Sequence, residues 1–429
     1  MKKKILFYSE CYIFGGCENV LVNLILSPVV NERFDVLYAY ARNRDYQRGV
    51  DSRFGAFPKK YPLRILSNGN LFYRIDGSGM NKYLAFLIKA PLALLQRMGV
   101  YALYNFLRLS LFIREQKPDI LHINNGGYPS ALSCRTAVFS AKLAGVPRIV
   151  FNVNNLAQKQ KGVIDRLVDW YVHKHVDYFI TASQAARSNL IKNRGFDAGK
   201  IVQIFNAQKP NPVRKTREEV LGEYGVASDK FVIVTVAYLT ERKGHLFLLE
   251  ALDSIRRTDA DLYDNLVLFL VGDGEMRPEI ESYIREHGLD GKVILTGFRN
   301  DDYHFINAAD LFILPSLRDE DMPYVILSAM ELSKPVISTK VAGIVEEIRD
   351  GIDGVLLDPA ELHRLPALIK ELHSDSSLRS SYGASARNRY QASFALDKIL
   401  RKYLDVYKRL YPDDTAIPSA CSTAGPGQA

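Results

Sequence analysis

Cysteine is scarce and scattered: Cys11, Cys17, Cys134 and Cys421 are the four in 429 residues, with no C-x-x-C pair. That spacing argues against a disulfide framework or a zinc site, and it suits a reducing compartment. Tryptophan is nearly missing, and the one residue, Trp170, reads as core. The eight histidines show no ligand spacing, so there is no H-E-x-x-H metal helix. The glycines form neither a G-x-x-x-x-G-K-[ST] phosphate loop nor a G-x-G-x-x-G dinucleotide turn. This argues against a P-loop NTPase and against a Rossmann dehydrogenase. No G-x-S-x-G elbow supplies a hydrolase nucleophile. Long apolar runs are lacking too. The start "MKKKILFYSE" is apolar only from Ile5 to Tyr8, short of the roughly 7–15 residues of a signal peptide. It reads as a first β-strand.

What remains is a soluble composition, 47% hydrophobic and 24% charged, in a length that suits two domains of about 200 residues each. The net charge of +8 is uneven: Arg42–Lys117 holds 14 Lys+Arg against 4 Asp+Glu, a local balance of +10. Inside that segment lies "KYLAFLIKAPLALLQRMGVYALYNFLRLSLFI", residues 82–113. Lys89, Arg97 and Arg108 interrupt it and Pro91 is expected to break it, so no clean run of about 20 apolar residues spans a membrane. Two amphipathic helices fit, over a segment of 80–115. They are either ordinary core helices or a basic, apolar-faced surface lying on an anionic membrane.

Short apolar runs alternate with helical patterns, twice over. The strands expected in the first half are 5–9, 35–40, 119–124, 148–153, 178–183 and 201–206. Those in the second are 231–237, 266–272, 293–297, 311–316, 335–339 and 355–358. Such runs are apolar on both faces, as covered parallel strands must be. The fold class is therefore α/β, two doubly wound Rossmann-like domains. The expected division is a first domain over 1–205, a polar proline-bearing linker over 206–215, and a second domain over 216–392. A last helix over 393–411 and a disordered tail over 412–429 complete it.

In open parallel sheets ligands bind outside the carboxyl ends of the strands. After the first strand come Gly15 and Gly16, whose backbone N–H groups can approach an anion. After the first strand of the second half come Arg242 and Lys243, well placed for phosphates. After the next comes Gly272, in a turn. After the fourth comes "EDMPYVILSAM", with Glu320, Asp321, Met322, Pro323 and Ser328. Pro323 fits a helix's first turn, and the helix dipole accounts for part of the acidity before it. Glu346 and Glu347 follow the fifth strand. In the first half, His122, Asn125, Asn152, Asn154 and Asn155 sit at strand ends, where each can meet a sugar hydroxyl or simply satisfy a loop.

These pieces assemble. "KPDILHIN", "ITASQAARSNLI", "ERKGHLFLLEAL", "LVGDGE", "AADLFILPSLRDEDMPYVILSAM" and "GIVEEIRDGIDGVLL", with Gly15-Gly16-x-Glu18, resemble glycosyltransferase family 4 over nearly the whole chain to residue 411. The resemblance implies the GT-B fold, two Rossmann-like domains facing across a cleft, with a last helix crossing back to the first. It implies a retaining transfer from a UDP- or GDP-sugar to a glycan or lipid-linked acceptor in cell-surface polysaccharide biosynthesis. No metal and no cofactor are expected, and no nucleic acid. It carries Glu320, Lys243 and Arg242 over as catalytic, and Gly15, Gly16, Gly272, Asp321, Met322, Pro323 and Ser328 as donor-binding. Asn154, Asn125 and His122 fall on the acceptor side.

Three positions depart from the family pattern. Tyr238 stands where an arginine is usual, Asn154 where a histidine is, and Ser328 where the second of two paired glutamates would be. A degenerate homologue that binds sugars or partners without turnover is the competing reading. The expected location is cytoplasmic, peripheral on the inner face of the cell membrane.

Overall fold

The structure, a computed structural model, describes residues 2–11, 14–209 and 211–412. The tail expected to be disordered lies outside the described residues from Asp413 onward. The chain clusters into two units. One runs from Met1 to Phe205 and resumes at Asp397; the other is Asn206–Leu396.

The first unit is built on seven strands. They are β1 (Lys3–Ser9), β2 (Phe34–Ala41), β3 (Lys60–Leu63), β4 (Ile120–Asn125), β5 (Arg148–Val153), β6 (Tyr178–Thr181) and β7 (Ile201–Gln203). Their order is β3-β2-β1-β4-β5-β6-β7, all parallel. β1 and β4 are buried along almost their whole length, which is why both read as continuous apolar runs. β3, "KYPL", was not expected, because Pro62 argues against a strand. It pairs only with β2, at the sheet edge. The Lys59 and Leu63 carbonyls accept from the N–H groups of Tyr38 in β2 and of Arg42 just beyond it. Pro62, at the alternate phase, turns its nitrogen outward, where no N–H is needed.

The second unit has β8 (Phe231–Val236), β9 (Leu266–Val271), β10 (Val293–Gly297), β11 (Leu311–Leu314), β12 (Val336–Thr339) and β13 (Gly354–Leu357). The order is β10-β9-β8-β11-β12-β13, again all parallel. In each sheet the winding reverses beside the first strand, between β1 and β4 and between β8 and β11. The carboxyl ends of those pairs are where ligands of such folds bind.

The basic segment forms helices Lys82–Arg97 and Val100–Gln116. Pro91 does not break the first; the helix runs through it. Pro91 and Leu87, whose carbonyl loses its partner, are both exposed, so water satisfies the freed group. The break falls at Gly99, in a left-handed conformation (φ 80°) that favours glycine. No single helix among the described residues is long and apolar enough to cross a membrane, and these two are bent by 64° at their junction.

The last helix, Leu396–Leu410, buries Ile399, Tyr403, Leu404, Val406, Tyr407 and Leu410. It belongs to the first unit although it follows the whole second one. Tyr407 packs edge-on against Phe34 of β2, and Tyr411 beyond it lies under Lys3 of β1.

Candidate active site

In the second unit a short turn, Glu241–Lys243, follows β8. Gly244 ends it with φ 70°. A Cβ there would sit 2.2 Å from the Pro315 carbonyl oxygen, so both conformation and space demand glycine. The turn after β8 is thereby pressed against the chain leaving β11. A backbone bond from Leu317 N to Arg242 O, 2.7 Å, ties the two loops. Gly272 does the same at β9, where an added Cβ would lie 1.9 Å from Ala237 O. Its role in this structure is close packing of strand ends.

This packing brings Lys243 and Arg242 onto Glu320, 77 and 78 residues away. Lys243 Nζ donates to Glu320 Oε1 in a short contact. Arg242 Nη1 reaches the same oxygen at 3.0 Å and the Asp319 carbonyl at 3.1 Å. Ser316 Oγ donates to Glu320 at 3.2 Å. Asp319 adopts φ 56°, a conformation aspartate tolerates better than most residues. Lys243 and Glu320 are each 7% exposed. Burial holds the Lys243 ammonium below its ordinary pKa, opposed by the charge of Glu320. Glu320 meets three donors, Lys243, Arg242 and Ser316, which offsets the cost of burying its charge.

The acidic loop continues into the helix Tyr324–Glu331. Pro323 is its N-cap rather than its first helical residue. Met322 is buried, and its carbonyl accepts from Asn206 Nδ2 at 2.8 Å. Ser328 is buried and donates to the Tyr324 carbonyl at 3.2 Å, so its hydroxyl is spent on its own helix. Glu331, one turn on, takes the Tyr303 hydroxyl. Asp321 is 5% exposed.

Glu347, on the short helix Ile344–Glu347 after β12, is fully buried, and neither carboxyl oxygen has a hydrogen-bond partner. Burial pushes it well above the ordinary carboxylate range, and the charges of Asp321 and Glu320 add to this. A pocket lined by Arg217, Lys230, Lys334, His373 and Arg379 lies at the opposite, amino ends of the strands, away from these groups.

In the first unit Gly15 precedes the turn Gly16–Glu18 after β1. Glu18 folds back and takes the Gly15 N–H at 3.0 Å. Cys17 Sγ donates to the same carboxyl at 2.9 Å. With Cys11, these ligand atoms lie within 4.8 Å of one another, a grouping that could hold a metal ion. Burial pushes Glu18 up to about 7, so near neutrality the carboxyl retains much of its proton and the three groups satisfy one another.

His122 is not at an open strand end. It is fully buried, with Nδ1 2.6 Å from the Tyr407 hydroxyl and Nε2 3.0 Å from Asn152 Oδ1. Burial lowers its pKa to about 4, keeping the ring neutral. Asn152 Nδ2 reaches Tyr403 at 3.1 Å. Both residues hold the last helix to the sheet. Asn125 is also fully buried and accepts from Gly127 N at 2.8 Å. Asn154 is half-buried and donates to Asn124 Oδ1 at 2.7 Å. The sequence reading missed Ser316, whose only signal is its place two residues beyond β11.

Sequence and fold comparisons decide the family. Residues 216–389 match the description "Glycosyl transferases group 1" and residues 76–208 match "Glycosyltransferase Family 4". The chain is a family 4-type glycosyltransferase. A galactosyltransferase of Escherichia coli, named for UDP-Gal and α-D-GlcNAc-diphosphoundecaprenol, is 27% identical over 71% of this chain and 78% of its own. The lipopolysaccharide core glycosyltransferase LpsD of Rhizobium meliloti is 23% identical over 92% of this chain and 95% of its own. The crystal structure of Anabaena HepE with UDP superposes with a TM-score of 0.72 at 20% identity, covering 95% of this chain and 100% of that one. The glycosyltransferase fold is thus GT-B.

Proposed function

We propose that this glycosyltransferase moves a sugar from a UDP-sugar, or a GDP-sugar, to a lipid-linked or glycan acceptor in cell-surface polysaccharide biosynthesis, with retention of anomeric configuration. The observation that carries this is the buried Lys243–Glu320 pair with Arg242 beside it. A departing nucleoside diphosphate gains negative charge as the sugar C1–O bond breaks, and preorganised cations lower that barrier most. Lys243 and Arg242 are the groups for it, and Glu320 both holds them in place and presents a carboxylate to the donor sugar. The acceptor hydroxyl forms the new C1–O bond on the face the diphosphate leaves, and its proton passes to the departing phosphate oxygen. Charge is neutralised by side chains, so the reaction proceeds without metal or cofactor.

UDP is favoured because HepE binds UDP and UDP-glucose and the E. coli relative is named for UDP-Gal. A lipid-linked acceptor fits the diphosphoundecaprenol in the names of that relative and of the Campylobacter jejuni one. The helix pair Lys82–Arg97 and Val100–Gln116 fits a bilayer surface. Tyr83, Phe86, Leu87, Leu103 and Leu111 are each more than 60% exposed, among a local excess of cations. The enzyme then works in the cytoplasm, peripheral on the inner face of the membrane. Incubation with a panel of UDP- and GDP-sugars and a polyprenyl-diphosphate sugar in vesicles, reading nucleotide release, tests the reading. Release with one donor that depends on acceptor supports it; no release with any donor overturns it.

A further inference from the structure

Helix Gly162–His175 exposes what a helix of a freely soluble protein hides. Val163 is 70%, Ile164 79%, Leu167 60% and Trp170 59% exposed. Residues 163, 167, 170 and 174 recur at spacings of four and three, which makes one stripe along the outer face. Lys174 closes the stripe, with its ammonium 5.1 Å from the centre of the Trp170 ring. The expectation that Trp170 is core is therefore corrected.

The inner face already secures the helix. Val172 is buried, and Tyr171 stacks on Phe139 of the neighbouring helix Leu132–Leu143 at 4.0 Å. The outer stripe is not needed for folding, and an exposed apolar stripe rimmed by charge marks a contact surface.

Charge selects the occupant. Lys159, Lys161, Arg166 and Lys174 are all exposed. The helix's two acids turn inward. Asp165 meets Arg135 at 2.5 Å and Arg194 at 2.6 Å. Asp169, 1% exposed, accepts from the Tyr128 hydroxyl at 2.6 Å and forms an ion pair with Arg194, its Oδ2 3.2 Å from Nε. What faces outward is apolar and cationic only. An indole beside a lysine on such a stripe suits the headgroup level of a bilayer, where the ring is half wet and half buried.

We propose that helix Gly162–His175 is a second membrane contact, lying flat in an anionic lipid surface with Val163, Leu167 and Trp170 inserted. This rests on reading the helix pair Lys82–Arg97 and Val100–Gln116 as the first contact. Helix Leu132–Leu143 links the two, stacking on Tyr171 on one side and donating from Ser140 to the Phe106 carbonyl, 3.1 Å, on the other. Two contacts fix the orientation of the first unit on the surface, which one contact leaves free to roll.

Trp170 is the single tryptophan of the chain, so the emission of the full-length protein reports this helix alone. The probes are vesicles of phosphatidylcholine with phosphatidylglycerol, and of phosphatidylcholine only. With the anionic vesicles, emission shifts to the blue and lipids brominated in the acyl chain quench it; the neutral vesicles do neither. L167S/W170S lowers the vesicle partition coefficient roughly tenfold or more while leaving its thermal unfolding and its nucleotide binding without vesicles unchanged. Flotation with anionic vesicles while Trp170 emission stays unshifted and unquenched overturns the proposal and leaves the first contact standing. A shifted Trp170 in an F86S/L87S protein that binds as tightly as the parent overturns the first contact instead. A blue shift that grows with protein concentration, without vesicles, overturns the proposal in favour of a second copy of the chain.

Discussion

Lys243→Ala separates the catalytic reading of the buried cluster from a merely structural one. In the structure Lys243 and Glu320 are each 7% exposed and bonded to one another. Removing a buried ion-pair partner typically costs about 3–5 kcal/mol when the other charge is left alone. Here Glu320 keeps Arg242 at 3.0 Å and Ser316 at 3.2 Å. The loss in folding stability is therefore expected nearer ~1–3 kcal/mol, the scale of one charged hydrogen bond. The loss in turnover is set by different physics. One charged stabiliser of a departing anion in a dry site is worth roughly 2.7–4 kcal/mol, or about 10²–10³ in kcat. Arg242→Ala falls less, because its side chain is 34% exposed against 9% for Lys243, and water takes part of its place. The assay is nucleotide release at saturating donor, read beside thermal unfolding of the same preparations. A Lys243→Ala protein that is folded and turns over at the parental rate would show that the cluster only holds two loops together.

Three further outcomes follow. Activity is expected to survive EDTA, since side chains carry the leaving-group charge; loss on chelation that Mg²⁺ or Mn²⁺ restores refutes this. Ser328→Ala is expected to change donor turnover by less than about fivefold, because the hydroxyl is occupied by the Tyr324 carbonyl and a neutral bond is worth only about 1 kcal/mol, and a dead Ser328→Ala enzyme contradicts this; Ser328→Glu tightens nucleotide binding, and unchanged or weaker binding by calorimetry contradicts that. Glu18 holds its proton up to about pH 7 when folded but only to about 4.5 when unfolded, so the folded state binds more protons in that window and stability falls as pH rises through it, by up to roughly 3 kcal/mol; Glu18→Gln flattens this slope in denaturant titrations at about pH 5 and about pH 8, and an unchanged slope refutes the assignment.

The sheets and the cluster of Lys243, Arg242 and Glu320 could be read from the sequence for one shared reason. Parallel strands covered on both sides are apolar throughout, and the winding brings together polar residues just beyond their carboxyl ends. Lys243 and Glu320 are 77 residues apart, yet both follow strands, β8 and β11, that lie side by side. What stayed hidden depends on partners remote in sequence or on which face of an element turns inward. His122 looks like a strand-end ligand until Tyr407, 285 residues on, takes its Nδ1. Trp170 sits on a helix with apolar residues on both faces, and only the inward pull of Asp165 and Asp169 on Arg135 and Arg194 decides which face is out. Pro62 disguised an edge strand because a proline is harmless only where nothing pairs beyond it.

Of the three departures from the family pattern, Ser328 bears on the charge balance of the proposed site. Near Lys243 and Arg242 the second unit gathers Glu320, Asp321 and Glu347. If all three were ionised, a dianionic diphosphate would enter a site already short of positive charge. The structure resolves this locally. Glu320 is neutralised by its two cations. Glu347 is fully buried without a hydrogen-bond partner, and burial with the charges of Asp321 and Glu320 pushes it well above the carboxylate range, which disfavours its charged form. A neutral carboxyl donates a hydrogen bond where an ionised one only accepts. With serine at 328, no second ionised glutamate stands on the helix Tyr324–Glu331 beside the phosphate cations, and Glu331 is turned to Tyr303. The substitution at 328 thus leaves Lys243 and Arg242 bonded to Glu320 as they are, and a glutamate restored at 328 tests the nucleotide contact by itself.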